Sequence, residues 1–291
     1  MKLKIVGYFI FVIVCLCFSF LKHFPSAECA AFIEKKVTAI CGECDPHVEN
    51  ITPVPIAGLA SRSIRFSFPE RQNITLSEPE IKIRLSSLFT DTVRLAFSSK
   101  VFTGSVSGNI HIHKNDTHQL FLNSAFKDLQ VKRLTFGNTN SGYSLTGTIS
   151  GKMSTSLIRS RPESLEGSVK IHGGRLELPD SFYYINKVPF TSLELNFKMI
   201  GQNRLKLQKC ILKGSQIDAD ISGTILIEPS FFQYSPQLDV GLKFHPEFFM
   251  KSGNSKVAHF VRSNIGNNKV LNLLVKGTLS DPLVSLKRSE R

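Results

Sequence analysis

Apolar and polar residues alternate with a period of two over most of this chain. Leu193, Leu195, Phe197 and Met199 interleave with Ser192, Glu194, Asn196 and Lys198. Ile217, Ala219, Ile221, Ile225 and Ile227 share one parity, while Asp218 and Asp220 take the other. Successive side chains of a strand point to opposite faces, so these runs predict strands with one apolar and one polar face. A first series of strands is predicted at 63–68, 81–85, 93–97, 102–113, 120–126, 131–136 and 143–153. A second follows at 167–178, 193–199, 205–212, 217–227, 238–244, 270–277 and 283–287. At Lys209 and Cys210 the parity switches, which predicts a bulge.

A short pattern recurs six times: an apolar residue, any residue, a glycine, then Ser or Thr. Its glycines are Gly104, Gly147, Gly167, Gly214, Gly223 and Gly277. In most copies the glycine falls on the apolar parity, as Gly104 does with Val106, Ile110 and Ile112, or Gly223 with Ile217, Ile221 and Ile225. A glycine there removes a side chain from the packed face and lets the backbone bend. Repeated on neighbouring strands, it predicts a mainly β fold whose antiparallel sheet curls into a trough. Ordinary turn and bulge chemistry is the alternative source of such glycines. The expected lining of the groove is Val106, Ile110, Ile112, Leu193, Leu195, Phe197, Ile217, Ile221, Ile225 and Leu273.

Two helical segments interrupt the strands. Residues 25–40 predict a short helix, with Ser26 as N-cap and Gly42 past its end. Residues 256–265 carry Val257, Phe260, Val261 and Ile265 at helical spacing. With His245 to Phe249 before it, this segment is either a lid over the groove or a connection packed on the sheet.

Ahead of all this, Lys4 and Lys22 bracket an uncharged run. Its apolar surface comes from Ile5, Val6, Phe9, Ile10, Phe11, Val12, Ile13, Val14, Leu16, Phe18, Phe20 and Leu21. As a helix it rises roughly 25 Å, near the ~30 Å of a hydrocarbon core. It exceeds the usual core of a signal peptide, and Ala27-Glu28-Cys29 is a poor cleavage site. An uncleaved single-pass anchor is therefore expected, with a cleaved signal as the alternative. Lys2 and Lys4 place the amino terminus in the cytoplasm, and everything after Lys22 outside it. Three segments follow: an anchor at 1–22, a helical and irregular connector at 23–62, and a β domain at 63–291.

Composition narrows the partners. Phe occurs 23 times against 5 Tyr and no Trp, which suits a dry core or a surface facing acyl chains. The net charge of +13 calls for anionic surroundings, but the basic residues are scattered singly along strands. That spacing gives no nucleic-acid signature and fits anionic lipid surfaces better.

Candidate chemistry is sparse. Cys41 and Cys44 form a C-x-x-C pair at a helix end rather than a helix start, outside any βαβ unit, which disfavours redox catalysis. In an oxidising compartment a structural disulfide is simplest, between the two or from one of them to Cys29. His111 and His113 share a strand face without a third metal ligand, and Asp218 and Asp220 lack a partner base. No nucleophile elbow, phosphate loop, dinucleotide fingerprint or zinc-protease motif occurs. The reading is a non-enzymatic chain without catalytic residues, metal or cofactor.

The order of parts resembles the type II secretion system protein N family in its long proteobacterial form. The likeness runs from the anchor and the segment after Phe24-Pro25 through Leu165-Glu166-Gly167-Ser168, Gly173-Gly174-Arg175-Leu176 and 214–228. The ending Gly277-Thr278-Leu279-Ser280-Asp281-Pro282 also resembles strand ends of AsmA-type proteins, whose curved β troughs shield acyl chains. The first resemblance implies an accessory component of a type II secretion apparatus, anchored in the inner membrane with its β domain at 63–291 in the periplasm and working with other components of that system. The second implies the alternative, a protein that holds membrane lipid in an apolar groove. Neither supplies a role for the Cys41 and Cys44 pair.

Overall fold

The computed structural model describes residues 19, 22–41, 44–54, 57–68, 73–116, 119–136, 143–158, 161–178, 187–201, 203–227, 234–250, 255–265, 269–278 and 282–287. The expected anchor, Ile5 to Leu21, lies outside them apart from Ser19. No helix among the described residues is long and apolar enough to cross a membrane.

Helix α1 (Ser26–Cys41) precedes the first strands, β1 (Asp45–Glu49), β2 (Thr52–Val54), β3 (Gly58–Ala60), β4 (Ser63–Ser67) and β5 (Ile74–Ile83). A short 3-10 helix, Leu85–Phe89, leads into β6 (Thr92–Val101), β7 (Gly104–His113), β8 (Gln119–Phe136) and β9 (Tyr143–Ile158). Then come β10 (Arg161–Glu177), β11 (Lys187–Ile200), β12 (Arg204–Lys213), β13 (Ile217–Ile227) and β14 (Tyr234–Phe244). Helices α2 (Pro246–Met250) and α3 (Ser255–Asn264) separate β14 from β15 (Val270–Gly277) and β16 (Pro282–Leu286).

All the strands belong to one antiparallel, curved, unclosed sheet. From β4 onward each strand pairs with the next, and β1 adds to the outer side of β4. Strands β2 and β3 form a small flap paired to β5. Strands β1 to β3 thus fall within 23–62, the segment expected to be connector, and the sheet begins at Asp45. The predicted strands at 120–126 and 131–136 are one long strand, β8. The run looked broken because the register slips between Phe126 and Leu129 and again between Val131 and Leu134, resetting the parity. The bulge expected at Lys209 and Cys210 is present as a slip between Leu207 and Ile211. Further slips occur in β5, where Glu78 takes a left-handed φ of 51°, and in β10 between His172 and Arg175. Each slip bends and twists its strand, which curls a long sheet.

A meander sends its turns alternately to two ends of the sheet. One end carries the β6–β7, β8–β9, β10–β11 and β12–β13 turns, and there α2 and α3 lie on the sheet. Phe248 and Val261 are each 1% exposed and form one cluster with Leu145, Ile171, Phe190, Leu212, Ile217 and Leu271. These side chains come from β9, β10, β11, β12, β13 and β15. Six strand spacings span about 29 Å in a flat sheet, so a single cluster over two short helices fits a sheet that wraps them. Phe244, Phe248 and Phe249 pack ring on ring there, with centroids 4.7 to 6.3 Å apart, and Arg262 covers Phe249. Of the two roles foreseen for this segment, packing on the sheet is the one observed, and it closes one end of the curl.

At the sheet's first edge α1 packs along β1. Glu34 accepts the Val48 N–H at 2.7 Å and lies 3.5 Å from His47 Nδ1. Since Cys41 is joined to Asp45 by a short connection while Glu34 meets Val48, α1 runs antiparallel to β1. Its amino-terminal end therefore points away from the helix-closed end. Covering an edge strand in this way removes a template for pairing with other chains.

Asp218 ties the closed end together. Its carboxylate accepts from Lys213 Nζ at 3.0 Å and from the Gly214 N–H at 3.1 Å, and lies 3.3 Å from His245 Nε2. The β12–β13 turn is thereby joined to the residue that precedes α2. Burial pushes the Asp218 pKa up, but these hydrogen bonds and the Lys213 charge outweigh it and hold the carboxyl below its ordinary 3.8. A depressed carboxyl pKa adds stability that is fully present above the unfolded value and lost as pH falls through the folded one. Asp218→Asn should therefore melt below the parent protein at neutral pH, and the gap should close below about pH 4. Thermal melts of the pair from neutral to acid pH check this; a gap independent of pH would assign the loss to something other than the charge.

Candidate functional site

Residues opposite one another in an antiparallel ladder project to the same face, so the register carries a face across the whole sheet. Starting from Ile112 on β7, the partners are Val93 on β6 and Leu120 on β8, then Leu157 on β9. Along another row, Val169 on β10 stands beside Leu195 on β11 and Cys210 on β12. Further along, Ile221 on β13 meets Val240 on β14, Leu273 on β15 and Leu286 on β16. At the paired positions of this face, from β1 to β16, no Asp, Glu, Lys or Arg occurs.

The register brings all the expected groove residues onto this one face, but they fall into two groups. Ile217 and Leu273 are buried in the cluster beneath α2 and α3, and Leu193 and Ile221 pack against it. They are core and do not line an open groove. Val106, Ile110, Ile112, Leu195, Phe197 and Ile225 lie outside that cluster and are half-buried. On β6, β7 and β8 the same holds along most of the face: Val101 and Val131, towards the closed end, are buried there, while Val93, Leu95, Phe97, Leu120, Leu122 and Phe126 keep partial exposure. The apolar face is thus filled at one end and accessible towards the other, most of all over β6 to β8.

The glycines serve this face differently from the role expected of them. Phe97 stands directly opposite Gly108, Phe126 opposite Gly151, Phe197 opposite Gly167, and Phe190 opposite Gly174. A Cβ added to these glycines would come within 2.4 to 2.8 Å of the partner's ring. At Gly167 the Phe197 ring is the nearest obstacle, whereas at Gly108, Gly151 and Gly174 a backbone oxygen of the other neighbouring strand (Asn123, Ser168 and Thr146) is nearer still, so a ring and a close backbone share the vacant position. Gly167 belongs to the recurrent pattern; Gly108, Gly151 and Gly174 do not. At Gly104 only backbone is near: the would-be Cβ would meet Lys127 O and Asp128 of β8. Gly147 and Gly223 have φ of 139° and 134°, a region that L side chains rarely adopt. Gly214 is not on the strand face: it sits in the β12–β13 turn. Gly277 is the last residue of β15. Openness of the trough cannot be argued from absent side chains; it rests on the partial exposure of β6 to β8.

The opposite face carries the charge. Lys170 and Lys209 both meet Glu194, and their hydrogen bonds hold its carboxyl below the ordinary value. Glu166 pairs with Lys198, Glu177 with Lys187 and Asp239 with Lys287. His111 stands opposite Arg94 and Phe121, and His113 opposite Thr92. Asp218 serves the turn described above, with Lys213 and His245 as the partners that sequence reading missed. Cys44 is buried and disulfide-bonded, whereas Cys29 is a free thiol, so the disulfide does not run to Cys29. The Cys41 side chain lies outside the described residues. Cys210 is a free buried thiol on the apolar face, its pKa pushed up to about 11 by burial and by the Asp220 charge. It stays protonated at neutral pH and behaves as one more apolar group.

Valine at Gly104, Gly147 or Gly223 should destabilise the protein by about 1–3 kcal/mol through overpacking and backbone strain. Gly167→Ala should cost less when Phe197 is also shortened to Leu, because the ring is the obstacle. Denaturant unfolding of the two single variants and the double one measures this; strictly additive losses would mean that ring and glycine do not interact.

Comparison with family models, with curated proteins and with solved structures finds no match, so the reading of this face rests on its geometry.

Proposed function

We propose that this protein is a non-enzymatic lipid-handling protein whose apolar face shelters acyl chains. The observation that carries it is a sheet face free of charge at every paired position. Among the described residues, α2 and α3 cover that face at one end, and α1 packs along β1 at the first edge. A carboxylate or ammonium on such a surface would lose its hydration to any bound hydrocarbon, and every buried methylene gains about 0.8 kcal/mol. The dimensions suit the cargo. Strand β9, 16 residues long, runs about 50 Å at roughly 3.3 Å per residue, against ~15 Å for one leaflet of hydrocarbon. Phe97, Phe126 and Phe197, set beside Gly108, Gly151 and Gly167, add aromatic surface to this face.

The accessible end supports an approach to a membrane. The 3-10 helix between β5 and β6 lies at that end, and its Leu85 and Phe89 are 47% and 91% exposed. The orientation of α1 brings in the preceding residues, where the anchor is expected, from the same side. The resemblance to the type II secretion protein N family supplies the proposed setting: a single-pass inner-membrane protein with its trough in the periplasm, acting beside other secretion components.

Photocrosslinking groups placed at Ile112, Phe197 and Ile225 test the reading in cells. Lipid adducts are expected at all three positions and not at Lys198 or Asp218 on the charged face. A folded protein without adducts at the apolar positions would leave a purely structural face.

A further inference from the structure

A hollow of about 370 Å³ opens on the charged face, at the end opposite α2 and α3. Arg204, Thr224, Ser235, Gln237 and Lys276 line it, with Leu226 beside them. Four strands meet there. Arg204 is the first residue of β12 and faces Leu226 across the ladder; Thr224 faces Gln237; Lys276 is the penultimate residue of β15. The hollow therefore sits at the rim where the trough is not closed by helices.

Two basic side chains and no acid border it among the described residues. On β10, β11 and β12, Lys170, Lys187, Lys198, Lys209 and Lys213 each hold a carboxylate, whereas Lys206, opposite Thr224 beside the hollow, holds none among the described residues. Arg204 and Lys276 likewise hold none among the described residues, and both border one cavity. No carboxylate among the described residues lines it, while the Thr224 and Ser235 hydroxyls and the Gln237 amide add neutral donors. A planar guanidinium, an ammonium and three neutral donors around a hollow of this size suit a tetrahedral oxyanion.

We propose that this hollow binds a phosphate group, with Arg204 and Lys276 neutralising its charge and Thr224, Ser235 and Gln237 donating to its oxygens. The group can belong to free phosphate or to a phospholipid headgroup. In the second form, which rests on the trough reading, the headgroup is held on the rim while the acyl chains pass over it onto the apolar face.

The test uses the full chain and four probes: inorganic phosphate, sodium laurate, and vesicles of phosphatidylglycerol or phosphatidylcholine. Arg204→Gln and Lys276→Gln are compared with Lys243→Gln, an exposed and unpaired lysine on the same face at the closed end. Titration calorimetry with inorganic phosphate should show each rim variant weakened by about tenfold and Lys243→Gln nearly unchanged, as charge-assisted hydrogen bonds lost at one site require. Equal weakening by all three variants, or by none, overturns the site. Both kinds of vesicle carry a phosphodiester, so a loss in the rim variants with both supports the headgroup form. A loss confined to phosphatidylglycerol, matched by Lys243→Gln, reduces the effect to net charge and overturns that form. Laurate carries no phosphate: failure to bind it in the parent protein counts against the trough, and the phosphate titration still decides the rim site. Circular dichroism melts of the variants confirm that folded proteins are compared.

Discussion

The fold depends on disposing of one very large apolar face. A meander of this width, alternating along its strands between register slips, presents a mainly apolar, charge-free face on one side from β1 to β16. Most antiparallel sheets cover such a face with a second sheet or a layer of helices. This chain offers three α-helices and one 3-10 turn among its described residues, of which α2 and α3 pack on the face at a single end. The remaining cover comes from curvature, which brings neighbouring side chains over one another. It shields them only in part, and that leaves Val106, Ile110, Ile112 and their neighbours on β6 and β8 half-exposed.

The local devices serve that curl. Register slips in β5, β8, β10 and β12 bend long strands that would otherwise extend as flat ribbons. Phenylalanines lie across glycines of the adjacent strand, which satisfies packing on a bent surface without a second layer. Phe suits this use because it has no hydroxyl or indole N–H that would demand a partner on a charge-free face. The charged face supplies the opposite requirement: ion pairs such as Lys170 and Lys209 with Glu194 hold adjacent strands in register and keep the outer surface wet. Asp218 links the two levels, since the turn it closes also positions the residue before the helices that fill the closed end.

Much of this could be read in the sequence, because period-two alternation is a local signal. Strands β13 and β15 match their predicted spans, the bulge at Cys210 shows as a parity switch, and α1 and α3 lie within one residue of where capping signals and helical spacing respectively place them. The reading failed where the information is non-local. Residues 45–60 have too few alternating positions to announce strands, and they join the sheet through partners such as Arg65 and Ile81. Two slips in β8 made one strand look like two. The pairing of Phe97 with Gly108, or Phe126 with Gly151, depends on a register that composition cannot supply, although 23 Phe and 19 Gly hinted at it. Ile217 and Leu273 were assigned to an open groove because nothing local to them shows that α2 and α3 lie above.

The central claim is that the half of the apolar face away from the helices is open to acyl chains. Native mass spectrometry of the protein, delipidated and then exposed to phospholipid, tests it most directly, with Ile112→Lys as the comparison. The account predicts lipid-sized mass increments on the parent protein and their loss in a variant that remains folded. A folded parent protein that gains no lipid, or a charge at Ile112 that leaves lipid uptake unchanged, would contradict it.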